Sequence, residues 1–304
     1  MKQKLPCING YQLIQNWSTT GNARWSCAKK SGNTFFIKEF MAPKYKNPED
    51  GFSSRQVEKS HERCAVFRET KEALYDRIRK ANNGNIICSH DFFVHDNVFY
   101  AVTDWVDFVP LSIIQIAGMN PEQKLILFKV LTHSMDNLHK HGVVHADLKP
   151  ENILIKKTLK GYTLKLIDFD AGFLKSTPRR GSQISFDFVY MAPETLAATE
   201  DERLLLTEKI DIFAMGLLFH LYYCGKLPGY PEGYANASSA VCDNVLLQLD
   251  KSIPEWLQAL ITRMTVSDPR HRPDAETVFR ILNTRECSIP SRNLHPPVRY
   301  TKSR

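Results

Sequence analysis

The chain has 304 residues, of which 43% are hydrophobic and 24% are charged, a composition typical of a folded globular protein and not of a disordered one. No stretch of about 20 apolar residues is present, and the first ten residues, MKQKLPCING, lack an apolar signal core, so we expect neither a membrane span nor export. Seven scattered cysteines without a CxxC pair favour reduced thiols in a cytoplasmic protein over a disulfide framework or a zinc site. The net charge of +7, without a run of four basic residues, suits phosphate-bearing ligands and gives no reason to expect nucleic-acid binding.

The first hundred residues have the pattern of strands around one helix. A polar loop is predicted over 41–54, and helical spacing of Phe67, Leu74 and Ile78 predicts a helix over 55–79. The β-rich runs, which are separated by turn residues, are 11–17, 24–29, 34–40, 86–94 and 98–105.

After Pro110 the pattern becomes helical. Asn120 is followed by Pro121 and Gln123, the residue types of a capped helix start, and Gly142 is expected to end this helix. Further helices are predicted over 209–224, 239–249, 254–264 and 274–282. The chain therefore divides into a β-rich lobe (1–105), a helical lobe (106–286) and a basic tail containing proline (287–304), with a ligand cleft expected between the lobes.

Five motifs carry the chemistry of the sequence, and they occur in a fixed order. They are HADLKPENILI (145–155), LKLIDFD (164–170), YMAPE (190–194), DIFAMG (211–216) and DPRHRP (268–273). In this order and spacing they resemble the eukaryotic-type serine/threonine protein kinases over residues 11–283. The resemblance implies an α+β, bilobal protein-kinase-like fold and a protein kinase that uses ATP and Mg²⁺ to phosphorylate Ser or Thr in protein substrates.

The resemblance also implies roles for the residues of the first two motifs. Asp147 corresponds to the carboxylate that orients the acceptor hydroxyl and accepts its proton. Lys149, the residue found here in serine/threonine kinases, corresponds to the lysine that reaches the γ-phosphate. Asn152 and Asp168 supply the hard oxygen ligands that Mg²⁺ prefers beside phosphates.

In the β-rich lobe, the run Phe35-Phe36-Ile37-Lys38 resembles the strand whose lysine pairs with the α- and β-phosphates. The carboxylate partner of Lys38 is expected on the helix over 55–79. Glu69 is preferred because it lies one turn before the apolar pair Ala73 and Leu74, and Glu72 is nearly as good a candidate.

The adenine site is expected where the two lobes join. Asp104 and Val106 match the backbone positions that bind the base, with Thr103 in the gatekeeper place and Leu154 as the apolar floor. The phosphate-binding loop is degenerate. Small residues other than glycine stand at its three glycine positions, namely Ser18, Thr20 and Ala23, and Gly21 lies between these positions. Glu194 and Arg272 match a structural ion pair of the family, and Asp211 matches the residue that braces the catalytic loop.

Several positions depart from the family pattern. Phe36 replaces a small residue above the base, which predicts a cramped pocket and leaves the choice of ATP over GTP open. Ala146 replaces the arginine that receives an activation-loop phosphate. Asp170 replaces the last glycine of the Asp-Phe-Gly motif, where it is expected to restrict a backbone flip and offers a second carboxylate to the metal.

Three functions are compatible with these features. The reactive groups are all present, which favours an active protein kinase. A pseudokinase scaffold that binds nucleotide without turnover is the first alternative, and the degenerate loop and Phe36 support it. The second is a small-molecule phosphotransferase of the aminoglycoside or choline kinase type, against which the segments 192–194 and 268–273 argue.

Overall fold

The β-rich lobe is built on one curled antiparallel sheet. The computed structural model describes residues 5–20, 23–106, 110–159, 161–180 and 186–285, so the predicted tail and Gly21 lie outside the described residues. Within these, the sheet has seven strands. Six of them pair in the order β1-β2-β4-β5-β7-β6, and the seventh, β3, pairs with the first residues of β4, which β2 does not reach. The strands are β1 (Cys7–Ile8), β2 (Tyr11–Leu13), β3 (Ser18–Thr20), β4 (Ala23–Lys30), β5 (Asn33–Lys44), β6 (Ser89–His95) and β7 (Val98–Asp104).

Two strand predictions differ from the structure. The run 11–17 is not one strand but contributes β2, while β3 begins separately at Ser18. The loop predicted from residue 41 starts later, because β5 continues to Lys44 across a register shift between Glu39 and Lys44. Pro43, which has no N–H to donate, lies within this irregular part of the strand.

The single long helix of this lobe, α1 (Ser54–Ala81), packs one face against the sheet. Its start is capped by Gln56, whose side-chain Oε1 accepts the backbone N–H of Ser53 at 2.9 Å. Lys71, Leu74 and Ile78, at intervals of three and four residues, are all buried. This spacing places the three side chains on one face of the helix.

The second lobe is helical apart from two short hairpin-like pairs. Its helices are α2 (Ile113–Ala117), α3 (Pro121–Lys140), α4 (Pro193–Glu200), α5 (Lys209–Cys224), α6 (Ala237–Cys242), α7 (Glu255–Met264) and α8 (Ala275–Asn283). Its strands are β8 (Val143–Val144), β9 (Ile153–Thr158), β10 (Gly161–Leu166) and β11 (Phe173–Leu174), paired as β9 with β10 and β8 with β11. The helix predicted over 239–249 is wrong beyond Cys242, because Asn244 has a left-handed backbone (φ 59°) and Gln248 pairs with Gly229.

Helix α5 forms the centre of this lobe. Every residue from Ile210 to Tyr222 is buried, as expected for a helix that is apolar on all sides. Gly216 is required where α5 meets the end of α7, since a Cβ atom there would lie 2.7 Å from Cγ2 of Thr265.

No helix of the described residues is long and apolar enough to cross a membrane.

The two lobes are joined through β10 as well as through the chain after β7. The Ile87 N–H donates to the carbonyl of Leu166 at 2.9 Å, and the Leu166 N–H donates to the carbonyl of Asn85 at 2.8 Å. These bonds attach the segment between α1 and β6 to the strand that precedes Asp168. These two bonds therefore hold the two lobes together on the inner side of the cleft.

A buried ion pair fixes the start of α4 to the end of the helical lobe. The Arg272 guanidinium donates to both carboxylate oxygens of Glu194, at 2.7 and 2.8 Å, and its side chain is fully buried. It also donates to the carbonyls of Val266, Ser267 and Lys209. The ion pair expected from the sequence is confirmed, and the additional bonds satisfy the remaining donors of the buried guanidinium.

Because the Arg272 charge has no access to water, Glu194→Gln should lower the free energy of unfolding by about 3 kcal/mol, measured by urea denaturation. The control is Asp76→Asn, which breaks a 2.7 Å pair with Lys80 on the exposed face of α1 and should change the stability little. Equal, small effects of the two substitutions would contradict a structural role for the Glu194–Arg272 pair.

Candidate active site

Among the described residues, a cavity lies between the two lobes. Its volume is about 270 Å³, and residues of both lobes line it. The residues expected at the adenine site, Thr103, Asp104, Val106 and Leu154, all lie in its wall. Sequence and structure thus place the same four residues around one cavity.

The register of the sheet explains why Lys38 and Phe36 reach this cavity. Lys38 lies between Trp25 on β4 and Ala101 on β7, and Phe36 lies opposite Thr103. Because Phe36 and Lys38 are two residues apart on β5, both side chains point to the same face of the sheet. That face is the roof of the cavity.

Two aromatic rings narrow the cavity under this roof. The rings of Trp25 and Phe36 are stacked, with centroids 5.4 Å apart and planes inclined by 24°. The cavity volume of about 270 Å³ is just below the ~300–1,000 Å³ usual for small-molecule sites. Two large rings thus lie on the roof of a cavity of small volume, in agreement with the cramped pocket expected from Phe36.

The described residues on either side of the expected phosphate-binding loop lie on paired strands. Ser18 pairs with Trp25, and Thr20 pairs with Ala23, where β3 lies antiparallel to β4. Ala23 is buried. This pairing places β3 next to Trp25, which lines the cavity.

The segment 145–152, which we call the catalytic loop after the resemblance, brings three predicted residues into direct contact. The Lys149 Nζ lies 3.1 Å from Oδ1 and 2.9 Å from Oδ2 of Asp147. The Asn152 amide Nδ2 donates to Oδ2 of Asp147 at 2.9 Å and to its carbonyl at 2.8 Å. Burial alone would lower the pKa of Lys149, but the hydrogen bond and charge of Asp147 raise it above its ordinary value. Lys149 is therefore a cation, and Asp147 is held at a defined orientation.

Asp211 holds the loop from below. Its two carboxylate oxygens accept the backbone N–H groups of His145 at 2.9 Å and Ala146 at 2.8 Å, and one oxygen also contacts His139 Nε2 at 2.9 Å. Ala146 has a left-handed backbone with φ 64°, which a residue other than glycine adopts only when its surroundings impose it. The bracing role expected for Asp211 is confirmed, and it orients the peptide that precedes Asp147.

A second carboxylate approaches Lys149 from the segment before α4. Oδ2 of Asp187 lies 3.7 Å from the Lys149 Nζ. Lys149 therefore links the catalytic loop to the segment that leads to α4. The sequence did not indicate this contact.

Asp168 lies beside the catalytic loop. The Ile167 N–H donates to the carbonyl of Asn152 at 3.0 Å, which holds the two segments together. Asp168 itself has φ 59° and a side chain that is 37% exposed. Asp168 lines the cavity and Asn152 is buried on the adjacent segment. A carboxylate and a side-chain amide oxygen are the kinds of donor that Mg²⁺ uses together with phosphates. Asn152 and Asp168 thus fit the metal site expected from the sequence.

The expectation that Glu69 pairs with Lys38 is wrong. Glu69 and the alternative Glu72 are both exposed on α1. The apolar pair used to choose Glu69 was misleading, because Ala73 is exposed and the buried face instead contains Lys71 and Leu74. The helix presents a lysine to the cleft where a glutamate was expected.

The partners of Lys38 come from the other lobe. Its Nζ lies 2.7 Å from Oδ2 of Asp170 and 3.1 Å from Oδ1 of Asp168. The Lys71 Nζ lies 3.8 Å from Oδ1 of Asp170 and donates to its carbonyl at 3.2 Å. The Arg179 guanidinium also donates to that carbonyl, at 2.5 Å. Two lysines and an arginine thus converge on Asp170.

The charges explain the ionisation of this cluster. Burial alone would raise the pKa of Asp170, but the positive charges of Lys71 and Lys38 lower it. Burial lowers the pKa of Lys71 in spite of the charge of Asp170. Two features of the sequence could have revealed the cluster: a lysine on the buried helix face with Leu74 and Ile78, and an aspartate in place of a glycine at position 170.

Comparison with known proteins agrees with this geometry. The sequence matches the family model of the protein kinase domain over residues 31–281. Calcium-dependent protein kinase 20 of Oryza sativa subsp. japonica is 24% identical over 283 residues, which are 89% of this chain and 50% of that protein. Calcium-dependent protein kinase 14 of Arabidopsis thaliana is 31% identical over 156 residues, which are 50% of this chain and 28% of that protein. MAP kinase-interacting serine/threonine-protein kinase 2 of Xenopus laevis is 26% identical over 251 residues, 72% of this chain and 52% of that protein. The chain spans about half or less of the length of these relatives.

Since Glu69 and Glu72 point to solvent, Glu69→Gln and Glu72→Gln should leave both the melting temperature and its increase with Mg·ATP unchanged. Differential scanning fluorimetry measures both quantities. Lys38→Met serves as the positive control, because it removes a cavity-lining cation and should abolish most of the increase with Mg·ATP. A comparable loss for either glutamine variant would place a helix glutamate in the nucleotide site.

Proposed function

Because this chain belongs to the protein kinase domain family, we propose that it transfers the γ-phosphate of ATP to Ser or Thr hydroxyls of protein substrates. The observation that carries this proposal is the hydrogen-bonded set of Asp147, Lys149 and Asn152, held against Asp168 at the mouth of one cleft. Phosphoryl transfer depends mainly on positioning and charge neutralisation, and these four residues supply both.

Each side chain has a defined part in the transfer. The Asp147 carboxylate orients the acceptor hydroxyl and takes its proton as the hydroxyl oxygen bonds to the γ-phosphorus. The bond from this phosphorus to the β,γ-bridging oxygen breaks, and ADP leaves. Lys149, next to Asp147, faces the γ-phosphate oxygens, and Lys38, on the roof of the cavity, holds the α- and β-phosphates. A Mg²⁺ ion held by Asn152 and Asp168 would neutralise charge on the phosphates.

The segment leading into α4 favours a protein acceptor over a small molecule. The Glu194–Arg272 pair fixes this segment to the helical lobe, and Asp187 joins it to Lys149. A rigid platform beside the acceptor site suits an extended peptide. We therefore place a Ser or Thr side chain of a protein next to Asp147.

The narrow cavity supports a second candidate, a nucleotide-binding scaffold without turnover. The Trp25–Phe36 stack restricts the base, and Ser18, Thr20 and Ala23 replace the three glycines of an ordinary phosphate-binding loop. Both features affect how tightly ATP binds. Neither removes a group that takes part in the transfer, so the active enzyme remains the better proposal.

Incubation with γ-labelled ATP and Mg²⁺, with and without a general protein acceptor, tests the proposed activity. We expect label on Ser or Thr for the wild type and a loss of at least ~100-fold for Asp147→Ala and Asp168→Ala. Asp50→Ala, which removes an exposed aspartate of the β-rich lobe, is the matched control and should retain full activity.

Three results would contradict the proposal. Label that persists in both active-site variants would assign the transfer to other residues or to a contaminant. Absence of label together with a melting temperature raised by Mg·ATP would favour the scaffold. Label found only on added aminoglycosides or choline would favour a small-molecule phosphotransferase.

A further inference from the structure

The ammonium group of Lys38 has an unusual neighbourhood for a phosphate-binding lysine. Its shortest contact is to Asp170, at 2.7 Å, and not to a carboxylate of α1. Asp170 belongs to the segment that follows Asp168 in the helical lobe, 132 residues further along the chain. The lysine of one lobe is therefore oriented by a carboxylate of the other.

Helix α1 does not supply this carboxylate. Glu69 and Glu72 are exposed, and the charged residue on its buried face is Lys71. The Lys71 side chain is only 6% exposed. Its Nζ lies 5.4 Å from the ring of Phe40, 6.0 Å from that of Phe67 and 5.8 Å from that of Tyr75. Among the described residues, Asp170 is the carboxylate with which it forms an ion pair. A buried ammonium group needs such a partner, since leaving the charge unpaired costs several kcal/mol.

We propose that Asp170 is the positioning residue of Lys38 and that Lys71 and Asp170 are a compensating pair, in which the carboxylate expected on α1 has been transferred to the segment after Asp168. The proposal rests on the proposed phosphotransfer only for its activity readout. In this arrangement Asp170 holds Lys38 with Oδ2 and Lys71 with Oδ1 and its carbonyl oxygen. The position of α1 is thereby coupled to the conformation of the segment 168–170.

The charges explain why each member requires the other. With glycine at 170, buried Lys71 would lose its carboxylate partner, and Lys38 would lose its shorter ion pair and keep the 3.1 Å contact with Asp168. With glutamate at 71, a buried carboxylate would face the half-buried carboxylate of Asp170 across the same space. Changing both residues restores one carboxylate near Lys38 and removes one ammonium group. The compensation should therefore appear as strong non-additivity between the two substitutions.

The test is a double-mutant cycle of Lys71→Glu, Asp170→Gly and the double variant, measured first without ligand. We expect each single substitution to lower the melting temperature by roughly 6 °C or more. The double variant should return to within roughly 3 °C of the wild type. Lys80→Glu makes the same charge change on the exposed side of α1 and should alter the melting temperature little.

The positioning role is measured by turnover in the same four proteins. We expect kcat/KM for ATP to fall at least ~10-fold in Asp170→Gly and to recover most of this loss in the double variant. If Lys71→Glu does not yield soluble protein, recovery of soluble protein in the double variant becomes the stability readout.

Additive losses of stability, or a double variant that is insoluble or no better than the worse single variant, would overturn the compensating pair. Recovered stability without recovered turnover would overturn the positioning role and leave Asp170 as a structural anion. If the wild type transfers no phosphate, the proposed function fails, while the melting temperatures still decide whether Lys71 and Asp170 compensate each other.

Discussion

The geometry of the cleft depends first on the burial of one carboxylate, that of Asp211. Helix α5 is apolar on all sides and carries Asp211 into the core, where its side chain is 1% exposed. A carboxylate in this position must be satisfied by donors, and the backbone N–H groups of His145 and Ala146 are among them. The left-handed conformation of Ala146 follows, and it sets the direction in which Asp147 leaves the loop.

A second carboxylate, Asp170, adds charge contacts between elements that also share the hydrophobic core. It contacts Lys38 from the sheet and Lys71 from α1, and its carbonyl accepts from Arg179 of the following segment. Lys71 is buried and Asp170 is half-buried, so their mutual attraction offsets the cost of removing these charges from water only if all the partners are in place. The relative arrangement of sheet, helix and the segment after Asp168 is therefore cooperative, so that movement of one element would leave the others with unpaired charges.

The residues predicted from contiguous motifs lie where the sequence placed them, whereas the partner of Lys38 does not. Asp147, Lys149 and Asn152 are within six residues of one another, so that their spacing largely determines their contacts. Glu69 was chosen from the helical pattern alone. A pattern of apolar residues identifies a buried face only when polar residues on that face are also considered, and lysine, which is rarely buried, gives no such signal at position 71.

The sequence by itself determined the family, the two-lobed α+β fold and the reactive groups of the cleft, since these depend on local motifs and on the periodicity of apolar residues. Tertiary structure alone decided which face of α1 meets the cleft, how narrow the Trp25–Phe36 stack makes it, and which carboxylate orients Lys38. These features arise where segments far apart in the chain share one buried space. In that space the charges must be paired and the side chains must fit together across all of these segments. The sequence of any one segment therefore does not predict the arrangement.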